Sequence, residues 1–139
     1  MIKDSVTIQP FGIEFYVLAT ETNVEDTNAE SLLNIEANKI GIGKQSFTDS
    51  DTREWQSAFD YGYKDGKQVA VIYIHKKQIS MSALLHELIH ALNWINKHYN
   101  ICTEYGKDES VACFFEYLVS EMVNLLKRNS IRITNYKLQ

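Results

Sequence analysis

The fold is indicated most clearly by one stretch, residues 67–92, which reads KQVAVIYIHKKQISMSALLHELIHAL. Its first part, Val69 to Ile74, is apolar at every position, a pattern typical of a strand that is covered by helices on both faces of its sheet. Its second part begins an amphipathic helical pattern that extends from Met81 to His98. We therefore expect a buried strand that is followed closely by a long helix.

The segments on either side of this stretch predict further strands and helices. Asp65-Gly66 between two apolar runs is typical of a hairpin, so the arm from Trp55 to Tyr63 is expected to pair with the strand from Gln68 to His75. The other predicted elements are a hairpin or bent strand over residues 6–19, helices over residues 25–39 and 108–128, and a strand or tail over residues 131–139.

Composition limits the classes of function. The 139 residues are 45% hydrophobic and 12% aromatic, which suffices for one domain over residues 1–139 with its own core. The net charge of -4 and the scattered basic residues argue against nucleic acid or an anionic membrane surface as a partner. No apolar stretch is long enough to span a membrane. Two cysteines, Cys102 and Cys113, form neither a disulfide framework nor a zinc ribbon, so we expect a reducing, cytoplasmic environment.

One motif carries chemistry, namely His86-Glu87-Leu88-Ile89-His90 within the predicted helix. At 100° per residue, His90 lies about 40° and Glu87 about 100° around the helix from His86, so the three polar side chains share one face. Two imidazoles one turn apart can bind a single tetrahedral cation, and the carboxylate beside them can hold a water molecule. The spacing predicts a zinc site.

A catalytic zinc ion needs a third protein ligand. The best candidate is Glu109, because it begins the second long helix, far enough beyond His90 for that helix to return antiparallel, and lies on its polar face. Asp108, Glu104 and Glu116 are the alternatives.

Two classes of zinc protein are disfavoured. The extended motif H-E-x-x-H-x-x-G-x-x-H requires glycine and histidine where this chain has Asn93 and Asn96, which excludes that peptidase class. A zinc deaminase is poorly supported because the chain lacks P-C-x-x-C and its only proline is Pro10.

The segments LLHELIHAL (84–92) and ESVACFF (109–115) resemble the gluzincin zinc peptidases. Within that group they are most similar to small metallopeptidases of phages and prophages and to the ImmA/IrrE-type peptidases, over roughly residues 68–126. The resemblance implies an α+β fold, with a small, twisted, mostly antiparallel sheet packed against the HExxH helix and a second, ligand-bearing helix. One difference is Cys113, which stands where the family usually has Asp or Asn to support a ligand histidine.

The function expected from motif and resemblance together is that of a zinc-dependent metallopeptidase. His86, His90 and Glu109 would bind Zn²⁺, and Glu87 would act as general base on a metal-activated water. The substrate would be a peptide or protein, accepted as an added strand along the hairpin arm 55–63. The alternative is a phage-type regulatory or binding protein with a structural or vestigial zinc site.

The remaining candidate residues give weaker signals. Gluzincins usually place a Tyr or His opposite the metal to stabilise the oxyanion. Three tyrosines of this chain are candidates for that role, and the resemblance does not select among them. His75 and His98 are expected to be surface histidines and not ligands. Both cysteines are expected to be small buried residues, although Cys113 shares a helix face with Glu109. The three tyrosines are Tyr99, Tyr105 and Tyr117.

Overall fold

The computed structural model describes residues 1–22, 26–43, 57–101 and 108–134. Within these ranges it contains six strands and three helices. In chain order they are β1 (Ile2–Ile8), β2 (Ile13–Ala19), α1 (Asp26–Lys39), β3 (Ser57–Lys64), β4 (Lys67–Ile74), β5 (Gln78–Ser80), α2 (Met81–Tyr99), α3 (Asp108–Arg128) and β6 (Arg132–Thr134).

The main sheet has four strands in the order β1-β2-β4-β3. The outer pairs, β1 with β2 and β3 with β4, are antiparallel, whereas the central pair, β2 with β4, is parallel. The fold is therefore α+β with a mixed sheet, which confirms the predicted class and the predominance of antiparallel pairs. A separate parallel pair joins β5 to β6.

The predicted Asp-Gly hairpin is present, and of the two alternatives for residues 6–19 the hairpin is realised, with a first strand that begins earlier, at Ile2. Asp65 and Gly66 connect β3 to β4 with φ angles of 53° and 81°. Positive φ at both central residues is the requirement of a two-residue type I′ turn, and the Asp-Gly pair satisfies it. Gly12, with φ of 69°, lies in the turn between β1 and β2.

Helices cover both faces of the sheet, as the apolar β4 sequence predicted. From Val69 to Ile74 every β4 side chain is buried. On one face a core forms between the sheet and α2 and α3, centred on residues such as Phe15, Ile72, Leu88 and Leu118. On the other face a smaller core forms between the sheet and α1. Its buried members are Leu18, Leu33, Ala37, Ile40, Ile42, Val69, Val71 and Tyr73.

The start and end of α2 are fixed by capping residues. The Ser80 hydroxyl accepts a hydrogen bond from the backbone N–H of Ala83 at 3.1 Å, which satisfies one of the free donors of the first turn. Asn100 ends the helix in the left-handed conformation with φ of 50°, and its backbone N–H donates to the Asn96 carbonyl. The metal-site motif therefore lies in the first half of a well-defined helix.

Three predicted segments extend beyond the described residues. Trp55 and Gln56 of the hairpin arm, Glu25 of the first helix, and residues 135–139 of the C-terminal segment lie outside them. The strand alternative for the C-terminal segment is realised over Arg132–Thr134. No helix in the described part of the chain combines the length and apolar character needed to cross a membrane.

Candidate metal centre

The three motif residues lie together on one face of α2, as the helical spacing predicted. His86, Glu87 and His90 each offer a ligand atom, and these atoms all lie within 4.8 Å of one another. The two histidines are exposed to solvent, whereas Glu87 is buried, with 5% of its surface exposed. The cluster combines accessible imidazoles with a desolvated carboxylate.

The separation of the histidine nitrogens fits a shared metal ion. The Nε2 atoms of His86 and His90 are 3.3 Å apart, with the ring planes at 82° to each other. Two nitrogen ligands of a tetrahedral zinc ion, each about 2.05 Å from the metal, lie about 3.3 Å apart. The separation of the two nitrogens, which also lies within hydrogen-bond range, is therefore compatible with their binding one metal ion.

Glu87 is held from the side of the sheet by Ser57 of strand β3. The Ser57 hydroxyl, on the first residue of β3, donates a hydrogen bond to Oε2 of Glu87 at 3.2 Å. Burial raises the pKa of Glu87, while the bond from Ser57 and the nearby His86 and His90 act in the opposite direction. A carboxylate whose pKa is raised towards neutrality is better matched to general acid and base work.

A groove of about 580 Å³ lies between β3 and α2 and contains the cluster. β3 has one sheet neighbour among the described strands, β4, and so forms an edge of the sheet. The prediction that the hairpin arm before the active-site helix borders the cleft is confirmed for β3. The lining residues are Ser57, Ala58, Phe59, Tyr61, Ala83, His86, Glu87, His90 and Trp94.

Two groove residues, Ser57 and Tyr61, were not recognised as site residues from the sequence. Tyr61 stacks on Trp94 with ring centroids 5.0 Å apart, and Ser57 contacts Glu87 as described above. Both belong to the hairpin arm, whose alternation places Ser57, Phe59 and Tyr61 on one face. That alternation was the available signal, but only the packing of β3 against α2 shows which face meets the helix.

Glu109, the predicted third ligand, is not brought into this group. It lies in the first turn of α3 with an exposed side chain, and its Oε1 atom is 3.6 Å from the Cys113 Sγ atom, whose thiol donates to it. Of the alternatives, Glu116 is exposed and also outside the group, while Glu104 and the Asp108 side chain lie outside the described residues. The third ligand stays a prediction.

The expectation that Cys113 is buried is wrong. Its side chain is exposed, because it lies on the same solvent-facing side of α3 as Glu109 and Glu116. Local desolvation, the hydrogen bond to Glu109 and the charges of both glutamates raise the pKa of the Cys113 thiol. Cys102 lies outside the described residues.

Two of the three candidate oxyanion donors are engaged at the turn between β1 and β2. The Tyr117 hydroxyl accepts a hydrogen bond from the backbone N–H of Gln9 at 3.0 Å, and the Tyr99 ring stacks on Phe11 at 4.4 Å. Neither residue lines the groove. Tyr105 lies outside the described residues.

The expected surface position is wrong for His75 and is confirmed for His98. His75 is buried, with 6% of its surface exposed, and its Nδ1 atom is 2.9 Å from the Thr20 hydroxyl. His75 directly follows β4, and its ring contacts Thr20, which directly follows the neighbouring strand β2. His98 is exposed and contacts the Trp94 carbonyl at 3.2 Å through Nδ1.

Comparison with known proteins found no relative of the chain. No protein-family model, curated protein or solved structure matches the chain.

Proposed function

We propose that the chain is a zinc-dependent metallopeptidase of gluzincin type. The observation that carries the proposal is the pair of Nε2 atoms of His86 and His90, 3.3 Å apart, beside the buried carboxylate of Glu87 in an open groove. The resemblance of the two helical segments to phage and ImmA/IrrE-type peptidases supports the same reading.

The histidine pair would hold the metal, with Glu109 as the predicted third ligand. A zinc ion bound there would act as a Lewis acid and lower the pKa of a coordinated water to about 7. The exposure of His86 and His90 leaves the pair accessible to solvent and to substrate.

Glu87 would serve as the proton carrier. Its carboxylate would take a proton from the attacking water and deliver it to the nitrogen of the departing amine. The Ser57 hydroxyl fixes one carboxylate oxygen, Oε2, and so restricts the orientation of the group. Burial excludes bulk water from this carboxylate and strengthens its electrostatic interactions.

The edge strand β3 suits an extended peptide. An edge strand presents unpaired backbone N–H and C=O groups, which can bind a further strand by main-chain hydrogen bonds. Because β3 residues also line the groove, a peptide added at this edge would run past Glu87 and the histidines.

A purely structural zinc site is the less favoured alternative. Structural zinc ions are usually enclosed by four protein ligands. Here the described donor group has three members, of which His86 and His90 are exposed and Glu87 is held by Ser57. An open and partly solvated donor set is typical of a site where a ligand position is left for water or substrate.

The composition of the chain supports the remaining assignments. Cysteine spacing suits a reducing compartment, so we place the peptidase in the cytoplasm. A net charge of -4 without a basic cluster favours a peptide or protein substrate over nucleic acid.

The experiment is digestion of a peptide library by zinc-loaded protein, with cleavage sites identified by mass spectrometry. We expect cleavage that stops when a chelator removes the metal and resumes when zinc is restored. Absence of cleavage by a folded, zinc-loaded protein would contradict the proposed activity.

A further inference from the structure

One wall of the groove is aromatic. Tyr61 and Trp94 stack with ring centroids 5.0 Å apart and planes at 22°, and Phe59 lies 6.1 Å from Trp94 and 6.3 Å from Tyr61. Trp94 is buried, whereas Tyr61 is 52% exposed. We call Phe59, Tyr61 and Trp94 the aromatic wall.

The exposed Tyr61 ring extends a flat surface into the groove. It packs against the buried indole of Trp94. Tyr63, two residues further along the same strand, is 61% exposed but does not line the groove. Exposure alone therefore does not separate the two tyrosines of β3. Tyr61 differs from Tyr63 because it lines the groove and stacks on Trp94 beside the cluster.

The rest of the groove lining is uncharged. Apart from the cluster and Ser57, the described lining residues are apolar or aromatic, and none of them carries a charge opposite to an acidic or basic substrate side chain. Ala83 contributes only a methyl group on the helix side, which leaves room opposite the wall.

Strand geometry relates this wall to the substrate backbone. Side chains of a strand alternate between faces, so a peptide paired with β3 would point every second side chain towards the face of Ser57, Phe59 and Tyr61. On that face lie both the candidate catalytic group Glu87 and the aromatic wall. A residue close to the cleaved bond would therefore meet the wall.

We propose that the aromatic wall is a specificity subsite that binds an aromatic side chain of the substrate beside the bond that is cleaved. This inference rests on the proposed peptidase function. Offset or stacked packing on the Tyr61 ring favours a flat aromatic group over an aliphatic or charged one.

Binding is tested without hydrolysis by adding blocked amino acids to the isotope-labelled, zinc-loaded protein and following its amide and indole NMR signals. The probes are the N-acetyl amides of phenylalanine, alanine and aspartate. We expect the phenylalanine probe to bind at least ~10-fold more tightly than the other two and to shift the Trp94 indole signal, which is assigned with Trp94→Phe. Equal affinities for the three probes, or shifts confined to residues away from the groove, would overturn the subsite.

Matched variants test which residues cause the preference for the phenylalanine probe. Tyr61→Ala should remove the preference, Tyr61→Phe should retain it, and Tyr63→Ala should leave it unchanged. Ala83→Leu, which narrows the groove from the helix side, should weaken phenylalanine binding even if Tyr61→Ala fails to fold. Loss of the preference in Tyr63→Ala to the same extent as in Tyr61→Ala would contradict the assignment.

Hydrolysis separates this inference from the function on which it rests. If the protein cleaves peptides, Tyr61→Ala should lower kcat/KM about 10-fold for a peptide with phenylalanine at the preferred position and should lower it less for the alanine counterpart. Cleavage without any aromatic preference would reject the subsite alone. Phenylalanine binding at the wall without cleavage would reject the peptidase and with it the role of the wall in cleavage, and would keep only the binding of aromatic groups there.

Discussion

The Ser57 hydroxyl donates a hydrogen bond to Oε2 of Glu87 across 3.2 Å, and this contact joins the first residue of the edge strand β3 to the motif helix α2. The two residues are 30 positions apart in the chain. The contact makes the orientation of the candidate general base depend on the strand that we propose to bind substrate.

Replacing Ser57 by Ala should therefore impair catalysis more than metal binding. Loss of a hydrogen bond of about 1 kcal/mol corresponds to roughly a 5-fold lower kcat. Zinc content should stay unchanged, because Ser57 is not a donor in the histidine cluster. Ser57→Thr, which keeps the hydroxyl, is the control and should retain most activity in a peptide-hydrolysis assay. Equal losses in the two variants would indicate that the hydroxyl has no role.

The histidine pair should determine zinc binding. Purified protein is expected to hold about one equivalent of zinc, measured by elemental analysis or native mass spectrometry. His86→Ala or His90→Ala should each lower zinc affinity by more than ~100-fold, since even partners of a metal ligand contribute 10- to 100-fold. His98→Ala, an exposed histidine on the same helix outside the group, should bind zinc like the wild type. Substoichiometric zinc after reconstitution would contradict a zinc site.

The third ligand is tested by comparing two exposed glutamates of α3. Glu109→Ala should weaken zinc binding by more than ~100-fold, whereas Glu116→Ala should have little effect, if α3 supplies Glu109 to the metal as predicted. Because the structure pairs Glu109 with Cys113, binding of zinc would require the Glu109 carboxylate to exchange this partner. Similar zinc affinities in both variants would show that another group completes the site.

An acid-sensitive contact should connect β1 to the end of α3. Oδ2 of Asp4 accepts hydrogen bonds from Arg128 and Asn129, at 2.9 Å from Nε and 2.8 Å from Nδ2. The bonds from Asn129 and Arg128 lower the pKa of Asp4 despite partial burial. A depressed folded-state pKa stabilises the protein above the unfolded-state pKa, and this stabilisation is lost as the pH falls below about 4.

Asp4→Asn should accordingly lower the free energy of unfolding by about 1 kcal/mol at pH 7, discounted for the partial exposure of the pair. The difference from wild type should shrink as the pH is lowered from about 4, measured by urea denaturation at each pH. A pH-independent difference would contradict an ionised Asp4 as its source.

The local parts of the site could be predicted from the sequence. Helical spacing brings His86, Glu87 and His90 together, because residues one turn apart share a face whatever the rest of the fold does. The Asp65-Gly66 turn is similarly local, since its φ angles depend only on the residues in it.

The long-range parts could not be predicted. The pairing of β2 with β4 is parallel and is not sequential, so no turn signal marks it. The contact between Ser57 and Glu87 depends on how β3 packs against α2. The contact of the buried His75 with Thr20 depends on the pairing of β4 with β2. The exposure of Cys113 is a different case, because its place on the polar face of α3 with Glu109 was a local signal, and the prediction of burial gave more weight to the small apolar character of cysteine.

The most direct test of the account measures zinc content and turnover in the same preparation of Glu87→Gln. The amide keeps the size of the side chain and can still accept the Ser57 bond, but it cannot take up the proton. We expect unchanged zinc and fold with peptide hydrolysis at least ~10²-fold slower than in the wild type. Hydrolysis at the wild-type rate by the zinc-loaded variant would contradict the role of Glu87 and, with it, the proposed mechanism.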